Sequence, residues 1–420
     1  MSLEKPKFFE SDKEFIWTVS VLLVLLLARL FFEYQTYKEF ISKPFYFTHA
    51  NVLNSYEKST KGKQYTVLKL RSDDGYTFYT TTHKKEDFQH KRLRLQIFPN
   101  KSIPFYKYMN VFYVKSKIKS IEKMPLTFKD RLLKKVDGQH ENSALGSFYN
   151  AIFFATPIEK VLREKISLLG VSHLVALSGF HLSILWGLIY GLLLFPYRYF
   201  QQKNFPYRHA LLDVGLLTMV ILGLYLWFVD FPPSLLRSYA MVFAGWIVIL
   251  LGIELLSFMF LSTIVLTLLV LFPSLLFSLG FWLSVLGVFY IFLLLQYTRS
   301  FNRWTITLLF IPVGIFVLML PFVHSIFGLT SLYQLLSPLL SLVFIVFYPL
   351  VMLLHLLNLG GMFDGMLTWL FSLPDVSVEH ILPFWMALGY IILSLISIGS
   401  RKLFYVLFGS ALGYTGYLFI

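Results

Sequence analysis

The sequence predicts a polytopic α-helical membrane protein of about nine to eleven spans, some broken or re-entrant, carrying a small extracytoplasmic all-β domain. Three observations predict it. Of the 420 residues, 56% are hydrophobic and only 14% charged, whereas an ordinary soluble domain has about a quarter of its residues charged. Apolar runs long enough to cross a bilayer recur from Phe15 to the last residue. One polar stretch interrupts them: Thr36 to His140 holds 22 Lys and Arg against nine Asp and Glu, so +13 of the formal net charge of +14 lies in one segment. With no cysteine, the chain has neither disulfides nor thiolate metal sites. No metal and no cofactor are expected.

Residues 1–33 read as an N-terminal tail and a first span. Ser11-Asp12-Lys13-Glu14 has the spacing of a capping box, and Phe15 to Phe32 supplies the apolar length. The tail is long and mixed in charge and no small-residue cleavage site follows, so a retained span is expected rather than a cleaved signal. Arg29 can snorkel to the interface. Residues 44–124 switch to the period of strands: Tyr46 to Leu53, Gln64 to Arg71, Tyr76 to Thr81, Arg92 to Phe98 and Val111 to Ile121. Ser72-Asp73-Asp74-Gly75 marks a turn between the second and third. Five short strands suit a small barrel, and the five-stranded OB-fold is the leading candidate.

Basic and aromatic residues interleave along these strands. Lys61, Lys63, Tyr65, Lys69, Arg71, Tyr76, Phe78, Arg92, Arg94, Lys115 and Lys117 are candidate contacts for single-stranded nucleic acid, with cations on phosphates and rings stacked on bases. Lysines alternating outward for solubility and edge protection account well for Lys115, Lys117 and Lys119, and less well for a net of +13 over the whole segment. Anionic lipid headgroups are a second rival for the same charge.

Residues 125–169 read as interfacial helices. Thr127 to Val136 is basic and amphipathic, and Thr156-Pro157-Ile158-Glu159 combines an N-cap, a proline at the first helical position and a capping-box glutamate. Residues 170–420 form the polytopic region. Its first apolar run, Leu168 to Phe195, contains His173, Ser178, Gly179 and His181. Polar groups inside a span are costly enough that they face a bundle interior or a wet path, although small residues in spans also serve packing. On an unbroken helix the two histidines stand roughly 80° apart in azimuth and about 12 Å in height, too far to share a metal.

Further spans are expected at Ala210 to Phe228, Leu235 to Gly252, Leu255 to Phe272, Ser274 to Leu295, Thr305 to Phe322, Tyr333 to Leu357, Ile381 to Ile398 and Leu403 to Ile420. Loop cations at Arg198, Lys203 and Arg208, at Arg299 and Arg303, and at Arg401 and Lys402 mark the cytoplasmic side, which puts the N-terminus inside and the strand domain outside. The count of crossings then needs either Met362 to Leu373 as a short crossing or a break near Pro338 and Pro349. Arg237, after Pro232-Pro233, is a candidate phosphate contact or a partner of Asp230.

The string Gly170-Val171-Ser172-His173-Leu174-Val175-Ala176-Leu177-Ser178-Gly179-Phe180-His181 resembles the signature of the ComEC family, inner-membrane channels of natural transformation. Pro233-Ser234-Leu235-Leu236-Arg237 resembles its PSxxRA block, Gly280-Phe281-Trp282-Leu283-Ser284 its GFQLS block, and Phe327-Gly328 with Ser331 and Ser337-Pro338 its later block. The resemblance covers roughly residues 140 to 350 and departs from the family at Phe154-Ala155-Thr156, where a Gly-Asp pair is usual.

The resemblance implies a channel for single-stranded DNA in the cytoplasmic membrane, with an OB-type domain outside and with His173, Ser178, Gly179, His181, Arg237, Gly280 and Ser284 at signature or lining positions. It implies as partners an extracytoplasmic DNA receptor and a cytoplasmic motor or DNA-processing proteins, since no nucleotide-binding loop is present; anionic lipids and oligomerisation also fit. Many members carry a metallo-β-lactamase-like domain. This chain has no His-x-His-x-Asp-His cluster, so no nuclease activity is expected of it. The alternative readings are an intramembrane hydrolase or transferase using the His/Ser-bearing span, or an anion permease.

Overall fold

The first helix, α1 (Asp12–Ser42), begins as its cap spacing predicts: Ser11 Oγ accepts from Glu14 N at 3.3 Å. The reciprocal bond falls one residue early, with the Glu14 carboxylate accepting from Glu10 N. The helix runs ten residues past Phe32, and Arg29 pairs with Glu33 at 3.0 Å. That extension has a purpose in packing. Tyr37 and Phe40 on its last turns are buried in the core of the strand domain, and Tyr37 donates to Ile103 O at 2.6 Å. The computed structural model describes residues 8–60, 63–84, 86–88, 91–125, 127–252 and 257–419. It divides into a unit formed by Phe9–Arg131 with Ser262–Phe281 and a unit containing Leu132–Leu261 and Trp282–Ile420.

The strands are β1 (Tyr46–Thr60), β2 (Lys63–Ser72), β3 (Thr77–Thr82), β4 (Lys91–Phe98), β5 (Phe112–Tyr113) and β6 (Lys115–Lys123), with a one-turn helix α2 (Phe105–Tyr108) before β5. The expectation of five strands is corrected to six. At Val114 the chain leaves a parallel pairing with β3 and takes up an antiparallel one with β4, so one predicted strand becomes two. The sheet is therefore mixed, in the order β5-β3-β2-β1-β4-β6. Because β5 and β6 are one residue apart in sequence, the same stretch borders both ends of that order. The domain is also not purely β, since α1 and α2 fill its core with Tyr37, Phe40 and Tyr108.

The predicted turn forms at Ser72–Gly75, where Gly75 takes φ +90° and its N–H donates to Ser72 O. Asp74 accepts from the Tyr46 hydroxyl at 2.7 Å and from Thr48 Oγ1 at 3.0 Å, tying the turn to β1. Burial, reinforced by that carboxylate, pushes the Tyr46 hydroxyl up to about 12.

In order, the remaining helices are α3 (Phe128–Asp137), α4 (Ser143–Phe154), α5 (Lys160–Leu168), α6 (Ser172–Val175), α7 (Gly179–Asn204), α8 (Ala210–Phe228), α9 (Pro233–Leu250), α10 (Phe258–Leu271), α11 (Leu279–Tyr297), α12 (Arg303–Thr305), α13 (Ile311–His324), α14 (Ser337–Leu356), α15 (Asp364–Phe371), α16 (Phe384–Ile396) and α17 (Arg401–Phe419). A π-helical stretch at Ile306–Phe310 joins α12 to α13. Among the described residues six helices are long and apolar enough to cross a membrane: α1, α7, α8, α11, Arg303–His324 and Leu332–Leu356. Ser234–Leu250, Phe258–Leu271 and Phe384–Ile396 are apolar but shorter, which among the described residues makes six helices of full spanning length and three short ones. The chain is a polytopic helical membrane protein.

Three local expectations are corrected. The run Leu168 to Phe195 is not one span: α6 stops at Val175, residues 176–178 are non-helical, and α7 starts afresh at Gly179. The cap at Thr156 does not form. Ala155 takes a left-handed conformation that ends α4, and α5 begins only at Lys160 with no side-chain cap from Glu159. Finally, Met362 to Leu373 holds the end of a 3-10 turn (Gly360–Phe363) and the eight-residue α15, together too short to cross, while α14 runs through Pro349 without a break.

Candidate functional site

In the helical unit the break after α6 is the centre of the signature. Gly170 has φ +67°, a conformation that favours glycine, and its carbonyl accepts from Ser337 Oγ at 3.0 Å. A Cβ there would meet Gln334 at 3.2 Å, so this turn seats directly on the segment leading into α14. His173, on α6, places Nε2 3.2 Å from Ser341 Oγ. Ser341 already gives its own proton to Ser337 O at 2.8 Å, so His173 is the donor.

Ser178 caps α7. Its backbone N–H donates to His181 Nδ1 at 3.3 Å, which makes Nδ1 the acceptor and leaves the proton of a neutral ring on Nε2. That Nε2 is buried beside the rings of Phe344 and Tyr348 at centroid distances of 5.0 and 4.9 Å, with the backbone of Leu174 as a polar neighbour of the imidazole.

Gly179 is where α7 and α9 approach. A Cβ on it would lie 3.2 Å from Ser238 Oγ and 3.4 Å from Ser238 Cβ. Arg237, the neighbour of Ser238, is buried one turn into α9. The structure thus gathers three sequence blocks that lie far apart in the chain: the signature, the proline-led start of α9 and the start of α14. Gly280 and Ser284 lie on the first turns of α11 and are exposed, and the hydrogen bonds above involve neither.

In the strand unit the alternation along β2 sorts the candidates. Leu68 and Leu70 are fully buried, so Tyr65, Lys69 and Arg71 lie on the opposite, outer face. The register places Asn51 across from both Arg71 and Arg92, and His49 across from Arg94. Lys69 stands across from Tyr79, and Lys117 across from Gln96. One face therefore carries Lys69, Arg71, Arg92, Arg94 and Lys117, with Lys115 at its margin opposite Phe98. Arg92 is held by the Asp73 carboxylate, which offsets part of the charge. Tyr65 is half-buried with its ring 6.4 Å from His83.

Two aromatic candidates fall elsewhere. Phe78 is 0% exposed and stacked on Phe112 inside the core, and a ring with no outer surface cannot stack on a base. Tyr76 is half-buried, packed on Phe40 and Tyr108, and its hydroxyl lies 3.1 Å from that of Tyr108. Lys61 lies outside the described residues; Lys63 opens β2 opposite Thr60. Sequence reasoning passed over Asn51 and His49 on the basic face, and Ser238 and Ser341 at the signature. A period-two count extended along all of β1 would have found the first pair. Nothing short of the fold could have found the second.

Compared with known proteins, residues 156–420 match a family model described as competence protein. No curated protein and no solved structure matches the chain.

Proposed function

Because the chain belongs to the ComEC/Rec2 family of competence proteins, we propose that it is a channel carrying single-stranded DNA across the cytoplasmic membrane during natural transformation. The observation that carries the reading is that the family match covers the helical region in which the signature break, α9 and the start of α14 converge. The outer face of the strand unit captures the strand: Lys69, Arg71, Arg92, Arg94 and Lys117 meet phosphates, and Tyr65 offers a ring for stacking. In support of an OB-type barrel, the stretch Phe112 to Lys123 edges both ends of the sheet, one end through a parallel pair. In support of transport rather than hydrolysis, no carboxylate among the described residues pairs with His173 or His181, so neither serine–histidine contact has the acidic third member that orients a hydrolytic histidine. The proposed setting has the strand unit outside, where a receptor delivers DNA, and a motor or DNA-processing protein on the cytoplasmic side supplying the work.

The test uses the whole chain in nanodiscs, because residues 262–281 complete the strand unit. Single-stranded DNA binding is titrated against salt and compared with binding to anionic vesicles. Binding that weakens steeply with salt, and that is weaker and less salt-dependent on combined Arg71→Ala, Arg92→Ala and Arg94→Ala substitution, supports capture by this face. Vesicle binding with no DNA binding sinks it.

A further inference from the structure

Away from the signature, the helical unit buries a second polar cluster that joins two turns distant in sequence. Residues 138–142 link α3 to α4, and residues 357–363 link α14 to α15. His140 Nδ1 lies 2.9 and 3.0 Å from the two carboxylate oxygens of Asp364, and its Nε2 lies 3.0 Å from His355 Nε2. His355 Nδ1 in turn lies 2.6 Å from Val351 O. Gln139 reinforces the joint by donating to His355 O at 3.1 Å and accepting from Gly360 N at 2.9 Å. A Cβ at Gly360 would come within 2.6 Å of Gln139 Oε1 and 2.7 Å of His355 Nε2, so the glycine lets the turns close. The His140 side chain is 0% exposed and its ring stacks on Tyr149 at 4.6 Å, whereas the Asp364 side chain is 23% exposed.

The protons of this chain can be counted. A carbonyl only accepts, so His355 Nδ1 carries a proton. A neutral His355 then has a bare Nε2, which accepts from a proton on His140 Nε2. The contact with Asp364 needs a third proton, on His140 Nδ1 or on the carboxyl. Three protons is one more than two neutral imidazoles and a carboxylate hold, and it makes the cluster neutral overall, the state that burial favours. A fourth proton, placed on His355 Nε2, would set two Nε2–H groups against each other. Loss of the third would leave one contact without a donor. The titratable groups facing His140 are Asp137 at the end of α3, Tyr149 on α4, His355 on α14 and Asp364 on α15. Burial raises the Asp137 carboxyl.

We propose that His140, His355 and Asp364 form a binding site for one proton that clasps the 138–142 turn to the α14–α15 turn, with the partly exposed Asp364 as the member that exchanges the proton with solvent. The clasp holds within a pH window and opens on either side of it. The experiment is hydrogen–deuterium exchange on the whole chain in nanodiscs across pH, corrected for intrinsic rates, reading peptides over 138–142 and 358–364. Protection is expected to be maximal inside the window and to fall about tenfold per pH unit beyond each limit. Asp364→Asn supplies its own N–H to His140 Nδ1, so the alkaline loss disappears while the acid loss remains. A flat wild-type profile, or an alkaline loss retained in Asp364→Asn, overturns the proposal. Should that variant not fold, 15N-histidine spectra of the wild type decide: the proposal requires His355 protonated on Nδ1 and bare on Nε2, and the opposite tautomer refutes it.

Discussion

In the strand unit a side chain's place follows from its parity along the strand, while in the helical unit it follows from which helix lies against it. Lys69 and Leu70 are neighbours in sequence, yet one faces out and the other is fully buried, and the alternation says so in advance. His173 and His181 are both polar residues in one apolar run. Their surroundings differ because the helix breaks between them, and each then meets its own partners from α14. The difference teaches that period-two patterns carry face information locally, whereas a span apolar all round does not reveal which side is packed.

The comparison can be broken or sharpened by substitution. The largest effect is expected from Phe78→Ala, which should destabilise the protein by about 3–5 kcal/mol in chemical unfolding and leave DNA affinity intact below the transition. A loss of affinity with stability unchanged would return Phe78 to the binding surface. Gly179→Leu forces α7 away from Ser238 and should cost about 1–3 kcal/mol together with DNA transport in proteoliposomes. For the milder Gly179→Ala, Ser238→Gly should restore transport, and a cycle that shows additivity instead would remove that contact from the argument.

Replacing Arg71, Arg92 and Arg94 together should lower the salt slope of single-stranded DNA binding by about 2, since each phosphate contact contributes about 0.7. An unchanged slope would place DNA elsewhere. The smallest effect belongs to Asp73→Asn. Freeing Arg92 from an exposed pair worth about 0.2–1 kcal/mol should tighten DNA binding by less than tenfold, and weaker binding would show that the pair positions Arg92 instead of masking it.

Much of the strand unit was legible. Hydrophobic alternation located β1 to β4, and Asp-Asp-Gly located the turn. The length of β1 and the splitting at Val114 were not, because both depend on which strand lies alongside. Aromatic residues misled for a related reason: Phe78 and Tyr65 look alike as stacking platforms until parity and packing separate them. At the signature, Ser341 and Ser238 carry no local mark. His355 carried one, as a titratable group inside an apolar run, yet its partners His140 and Asp364 lie too far along the chain to be paired with it by spacing.

By itself the sequence determined that this chain lives in a membrane, that its charge is concentrated in one strand-forming segment, and that a competence-family signature stands at residues 170–181. Those properties are sums over composition and local period, which need no partner to be read. Only the tertiary structure decided which cations share a face, which serines meet the histidines, and that His140, His355 and Asp364 close on one another. Such contacts are set by packing between elements far apart in the chain, where shape and the need to satisfy buried polar groups choose the neighbour.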